Sequence, residues 1–270
     1  MAIRAHSAAG VRVNVVIGGT GIGVSTTTEF EEILRLQYAG FIEADSAQSI
    51  QLTVELTPPL TLDPDADIQV RGEGSRWTME RGDFHASYDS ATRVGKVWQS
   101  ASRQSLDSVI RIIHSLTLAE ETGFLLHAAS AIRGDRAFLF SGKSGAGKTT
   151  ISSLAPPDVH LLTDEVSYVR NVSGRWTAFG TPFAGELARP GENRSARVEA
   201  LYLLRHGSEN RTELLSAASA ARSILRNVLF FADDANLTRR VFDTICAFVE
   251  AVPVLELSFL PDAGVWELIH

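Results

Sequence analysis

The eight residues Gly142-Lys-Ser-Gly-Ala-Gly147-Lys148-Thr149 constrain this chain more than any other segment. They fill every fixed position of the pattern GxxxxGK[ST], which works in one local setting: an apolar strand that ends, a glycine-rich loop that curls, and a helix that begins. Ala137-Phe-Leu-Phe140 supplies the strand and Thr150-Ile-Ser-Ser-Leu154 the opening of the helix. Glycines at 142, 145 and 147 let the main chain curl so that several N–H groups face inward, where a helix N-terminus adds partial positive charge. Such a concave surface cradles phosphate oxygens. Lys143, Ser144, Ala146 and Thr150 complete the cradle. The Lys148 ammonium is placed to reach the β and γ phosphates, and the Thr149 hydroxyl to ligate Mg²⁺. The expected ligands are ATP, or another nucleoside triphosphate, and Mg²⁺.

A pair of acids follows closely. Asp164-Glu165 ends the apolar run that begins at His160-Leu-Leu. Carboxylates at a strand end beside a bound triphosphate can hold Mg²⁺ directly or through water, and can accept a proton from an attacking hydroxyl. Glu165 to Arg170 reads as a continuation of the same strand. On one strand, adjacent side chains point to opposite faces, so one acid faces the metal and the other a different partner. His127 lies in the apolar strand Leu125-Leu-His-Ala-Ala-Ser130 and, on chemistry alone, reads as a core residue.

Charge and cysteine content remove several function classes. A formal net charge of −7 gives no overall positive field to attract nucleic acid or anionic lipid. Cys246 is the single cysteine, so neither an intrachain disulfide nor a thiolate metal cluster is available. Its setting, an apolar helical run from Val241 to Val249, predicts a buried thiol. The histidines show no HExxH spacing. No stretch approaches the roughly 20 apolar residues of a membrane-spanning helix, and Met1 to Ser7 has no apolar core of a secretion signal. The expected location is the cytoplasm.

The chain divides into a β-rich region over 1–104 and an α/β region over 105–270. In the first, Val11 to Ile17, Ser49 to Leu56, Ala66 to Val70 and Trp77 to Met79 are short strands separated by turn clusters such as Asp63-Pro-Asp65, with one helix from Glu29 to Tyr38. Gly18-Gly-Thr-Gly-Ile-Gly23 resembles a phosphate loop but lacks both the Lys-Ser/Thr ending and the GxGxxG spacing. It reads as a turn. In the second region, Ser105 caps a helix to Glu120. Phe124 to Ile132 and Ala137 to Phe140 form a hairpin around Gly134 that leads into the phosphate loop. Leu214 to Phe231 and Asn236 to Val249 read as helices, the second capped by Asn236. Val252 to Leu260 is a closing strand, and Asp262 to Ile269 a short terminal helix. The hairpin requires antiparallel pairing, so the sheet should be mixed.

Three ordered pieces, Leu126-His127-Ala-Ala-Ser130, Phe140 to Thr150 and Leu161-Leu-Thr-Asp-Glu165, resemble the HPr kinase family, whose catalytic domain has the phosphoenolpyruvate carboxykinase-type P-loop fold. The resemblance covers residues 105–170 well and the tail loosely. It implies Thr149 as a metal ligand, Asp164 and Glu165 as metal contact and base for a serine hydroxyl, His127 near the phosphates, and a ring-shaped homo-oligomer. The chain departs from the family at Glu165, where the pattern has Asp. It departs again at Gly180-Thr-Pro-Phe-Ala-Gly-Glu186, which stands where a Glu-Ile-Arg-Gly-Leu-Gly signature belongs. Glu186 is the candidate acid for the metal there, although Pro182 and Gly185 also suit a plain turn.

The expected activity is transfer of the ATP γ-phosphoryl group to a hydroxyl of a protein, peptide or small molecule, in a divergent member of that family. The alternative is a nucleotide-responsive binding module without transfer. A motor or transporter ATPase ranks last, because an LSGGQ signature is missing and Asp164 follows the P-loop too soon.

Overall fold

The computed structural model describes residues 11–43, 50–58 and 67–270, so the Asp63-Pro-Asp65 turn, Ser49 and Ala66 lie outside the described residues. The chain forms two compact units, Met1–Ile113 and His114–His270.

In the first unit, β1 (Val11–Ile17) and β2 (Thr20–Thr26) form a hairpin. Its turn is Gly18-Gly19 with φ of 60° and 81°. Two consecutive positive φ values match the twist of the flanking strands, and glycine adopts them without strain. The helix α1 (Thr28–Gln37) is capped by Thr27, whose side chain accepts the Phe30 N–H at 3.4 Å. It buries Phe30 and Leu34, while Leu36 is 81% exposed. Then come β3 (Ile50–Leu56), β4 (Gln69–Glu73), β5 (Arg76–Arg81), β6 (Phe84–Asp89) and β7 (Val94–Gln99). The sheet order is β1-β2-β3-β7-β6-β5-β4. β4 to β7 form an antiparallel meander, and β3 pairs in parallel with β2 and β7. Buried and exposed residues alternate along β5, β6 and β7, which is the pattern of a sheet with one covered face.

The helix α2 (Arg103–Glu120) contains the division between the units. It begins two residues before the expected start. Ser102 Oγ accepts the Ser105 N–H at 3.2 Å, so Ser105 is not the cap. Its hydroxyl donates instead to Asp83 Oδ2 at 2.6 Å.

The second unit opens with the expected hairpin, β8 (Gly123–Arg133) and β9 (Arg136–Ser141), followed by α3 (Lys148–Ser153). β10 (Val159–Thr163), β11 (Val166–Val172), β12 (Arg175–Phe179) and β13 (Ser195–His206) follow. Next are β14 (Arg211–Leu214), α4 (Ala217–Leu225), β15 (Val228–Leu229), α5 (Ala235–Ala251) and β16 (Val254–Phe259), with a 3₁₀ turn at Ala263–Leu268. The order is β10-β8-β11-β12-β13-β16-β14, and β9 pairs with both β8 and β13. β13 runs parallel to β9 and β16, and the other pairings are antiparallel. The fold is α/β with two mixed sheets.

Four expectations are corrected here. The Asp164-Glu165 stretch is a bend between β10 and β11, not the interior of one strand. Leu214 to Phe231 is a strand end, a helix and a short strand. Ser216 caps α4 by accepting the Ser219 N–H at 3.4 Å, and the chain leaves the helix at Arg226. Asp234 caps α5, accepting the Leu237 N–H at 2.8 Å, in place of Asn236. Cys246 is only half-buried.

The core of this unit joins Phe138 and Phe140 of β9 to Tyr202, Leu257 and Trp266. Phe140 stacks on Tyr202 with ring centroids 5.7 Å apart, and the Trp266 indole donates to the Ile151 carbonyl at 3.1 Å. Each large apolar side chain removed from water here contributes about 1.5–3 kcal/mol. The packing fixes β9, and with it the point where the glycine-rich loop leaves the sheet. Among the described residues, no helix is long and apolar enough to cross a membrane.

Candidate active site

The site lies where β8 exchanges its neighbours. β9 pairs with Ala128–Arg133 and β15 with Leu125 and Leu126, while β10 pairs with Ser130–Arg133 and β11 with Gly123–His127. His127 therefore stands beside two breaks in the sheet. Its N–H donates to the Asn227 carbonyl at 2.8 Å, and the Ala128 N–H donates to the Glu165 carbonyl at 3.1 Å.

The loop that leaves β9 has its expected shape. Gly145 and Gly147 have φ of 76° and 104°. A Cβ at Gly147 would stand 2.6 Å from the Phe259 ring, so both backbone angle and space demand glycine. Lys148 is 8% exposed, and its Nζ donates to the Gly142 carbonyl at 3.3 Å. Desolvation lowers its pKa, and the nearby Glu165 and Glu186 carboxylates oppose that shift. The Thr149 hydroxyl donates to Glu186 Oε2 at 2.8 Å.

Thr163 makes the bend that carries the acids: its hydroxyl accepts the N–H groups of Glu165 at 3.1 Å and Val166 at 3.2 Å. A side-chain turn of this kind competes with strand pairing. The consequence overturns the expectation of opposite faces, because Asp164 and Glu165 both line one cavity of about 300 Å³ with His127, Lys148, Thr149 and Glu186. The two acids differ in engagement. Asp164 is 5% exposed, and its Oδ1 and Oδ2 accept the N–H groups of Gly185 and Leu187, each at 2.9 Å. It clamps the turn that hangs Glu186 over Thr149. Glu165 is half-buried, with Oε1 3.9 Å from His127 Nδ1.

Ser144, Gly145, Gly147 and Thr150 line the same cavity. Gly142, Lys143 and Ala146 do not. They face a second, larger cavity on the other side of the loop, with Arg226, Asn227 and His206. His206 Nε2 donates to the Gly145 carbonyl at 2.7 Å. No motif in the sequence marks His206 or Asn227. His206 ends β13, a strand that no sequence pattern marked, so only pairing with β9 reveals its place.

Among the described residues, no group of three or more His, Cys, Asp or Glu side chains converges to hold a metal by itself. The Thr149 hydroxyl and Glu186 carboxylate form a two-ligand edge. Such an edge suits Mg²⁺, which keeps several waters and takes phosphate oxygens to fill its octahedron.

The model of the SynChlorMet cassette protein ScmC family matches residues 101–270. The chain belongs to the ScmC family. This is a different family from the HPr kinases that the three motifs resemble. Among solved structures, the Hpr(Ser) kinase/phosphatase from Coxiella burnetii is similar to this chain over 54% of its length and 85% of that protein's, with 12% identity and a TM-score of 0.32. No curated protein matches the sequence. The matched ScmC segment contains every residue of the candidate site.

Proposed function

We propose that this ScmC protein is a Mg²⁺-dependent phosphotransferase that moves the γ-phosphoryl group of ATP to a hydroxyl, on a phosphoenolpyruvate carboxykinase-like P-loop domain. One observation carries the reading: an ammonium, a P-loop hydroxyl and three carboxylates share a single pocket with His127. A simple phosphate-binding module has no need of three acids beside an anionic ligand; a transferase needs them for metal and proton.

The roles follow from what each group is free to do. Lys148 and the loop residues that line the pocket, Ser144, Gly145, Gly147, Thr149 and Thr150, bind the phosphates. Thr149 and Glu186 would hold Mg²⁺, which would neutralise phosphate charge. Asp164 positions Glu186 through the amides of Gly185 and Leu187 and would offer the metal a further carboxylate. Glu165 takes the acceptor proton as the new O–P bond forms and the γ-phosphorus parts from the oxygen it shares with the β-phosphate. His127 orients the Glu165 carboxylate.

The test uses ATP labelled at the γ-phosphate, with Mg²⁺ and candidate hydroxyl acceptors. The expected result is label transfer that Glu165→Gln abolishes while binding of a non-hydrolysable Mg·ATP analogue persists. Tight binding with equal, acceptor-independent behaviour in Glu165→Gln would instead favour the nucleotide-responsive module.

A further inference from the structure

The crest of the phosphate loop separates two cavities of unlike character, and Ser144 and Gly145 belong to the walls of both. The pocket of about 300 Å³ sets three carboxylates against the single ammonium of Lys148. The cavity on the other side measures about 890 Å³, with Leu203 and Leu204 from β13 in its lining and the last turn of α4 along one wall. Its charged side chains are Lys143, Arg205, Arg226 and Glu256. Glu256 is neutralised within the cavity by Arg205, which donates to its Oε1 at 3.0 Å. Lys143 and Arg226 make no ion pair with any described residue. His206 adds an N–H already committed to Gly145. The field inside is positive.

Arg226 stands on a fixed frame. The next residue, Asn227, accepts the His127 N–H through its carbonyl at 2.8 Å, and its side-chain amide donates to the Ser223 carbonyl at 2.9 Å. The end of α4 is thus tied to the strand that carries His127 into the phosphate pocket. No Phe, Tyr or Trp lines the larger cavity, and the imidazole of His206 is held by its bond to the Gly145 carbonyl, whereas sites for flat apolar groups such as a nucleobase are mostly apolar and aromatic. Its volume lies within the range of a small-ligand site, and its open cationic rim suits an extended anion.

We propose that this cavity is the acceptor site, and that it takes an acidic peptide whose serine hydroxyl lies between carboxylate side chains. The carboxylates meet Arg226 and Lys143, and the hydroxyl reaches across Ser144 and Gly145 toward Glu165. This rests on the phosphotransferase reading, and the transfer step is the one given there.

The test uses two fluorescein-labelled heptapeptides with a central serine, one flanked by aspartates and one by lysines. Anisotropy is read on the full chain saturated with Mg²⁺ and a non-hydrolysable ATP analogue. The aspartate peptide should bind at least about tenfold more tightly, and Arg226→Glu should erase that preference, because a charge reversal at a rim replaces attraction with repulsion. Arg226→Ala, the milder change, should reduce it by about threefold, and Glu256→Gln should strengthen it by a similar factor. Affinity for the analogue should stay the same in all three variants. Equal binding of the two peptides, or a preference that survives Arg226→Glu, overturns the proposal. So does hydrogen-exchange protection of 203–206 and 223–227 by the analogue alone, which would give the cavity to the nucleotide. Failure of the wild-type chain to bind the analogue would remove the phosphotransferase reading itself, a result distinct from the other three.

Discussion

Along β5, β6 and β7 of the first unit buried and exposed residues alternate, whereas β8 and β9 of the second are buried at nearly every position. The exposed polar groups of the first sheet settle locally: Trp98 donates to Glu55 at 2.8 Å, and His85 meets Glu80 at 3.1 Å. A sheet covered on both faces has no such outlet, so its polar side chains gather where strands end or change partners. In the second unit that place is His127, with the phosphate loop leaving β9 and the Asp164-Glu165 bend joining β10 to β11. The difference teaches that polar side chains cluster at the interruptions of a buried sheet, while a sheet with one open face pairs them along its length.

Substitutions can break or sharpen this contrast. The largest effect belongs to Lys148→Ala, which should reduce phosphoryl transfer by about 10²–10³-fold, the usual loss when one preorganised charged donor is removed. A filter-binding transfer assay reads it, and an unchanged rate would dissolve the special standing of the second sheet. Next is Asp164→Asn. An amide keeps one acceptor but turns an NH₂ toward the other backbone N–H, so the 185–187 turn loosens. The expected outcome is a fall in kcat of about 10–100-fold, as for groups that orient a metal ligand, with faster amide exchange at Gly185 and Leu187.

Buried polarity in the second unit supplies a pH test. His114 is fully buried, stands edge-on to Tyr168 with ring centroids 5.5 Å apart, and neither ring nitrogen has a hydrogen-bond partner among the described residues. Burial lowers its pKa from 6.5 to about 3. The unfolded chain therefore takes up a proton as pH falls below 6.5 while the folded chain does not, so stability from this group is complete above 6.5 and declines toward 3. Between pH 6.5 and 5 the loss is about 2 kcal/mol, at 1.36 kcal/mol per unit. His114→Leu should flatten that part of a urea-melt pH profile, and an equally steep profile in the variant would sink the assignment.

The smallest effect tests the first unit. Tyr38 is fully buried and donates to Asp107 Oδ1 at 2.6 Å. Burial pushes the Tyr38 hydroxyl well above its usual pKa, and the Asp107 carboxylate adds to the shift. Tyr38→Phe should cost about 1–2 kcal/mol in a denaturation melt, the typical loss when a buried acceptor is left without its donor. Calorimetry should find nucleotide affinity unchanged. A lost affinity would place the first unit inside the function and erase the contrast.

Much of the fold is legible in the sequence. The strands β1, β3 and β5, the helix α1, and the hairpin before the phosphate loop stand where alternation and turn residues put them. β6, β7, β12 and β13 were not legible. β6, β7 and β12 are short and interleave apolar residues with charged, Ser, Thr or Gly ones, and β13 mixes a polar start with the apolar run Ala200 to Leu204. The helices suffered at their ends, since Ser102, Ser216 and Asp234 each act as caps beside other residues of equal capping propensity, and packing selects among them.

The GxxxxGK[ST] loop, its glycines and its lysine were legible in the sequence alone, because each requirement acts within a few bonds: a positive φ, an absent Cβ, a charge at the loop's end. That two adjacent acids share one pocket, that Asp164 clamps the turn presenting Glu186, and that Arg226 stands across the loop from them was decided only by tertiary structure. Residues 127, 164, 186 and 226 meet through strand pairing and loop docking between distant segments, and no local pattern carries the register of those pairings.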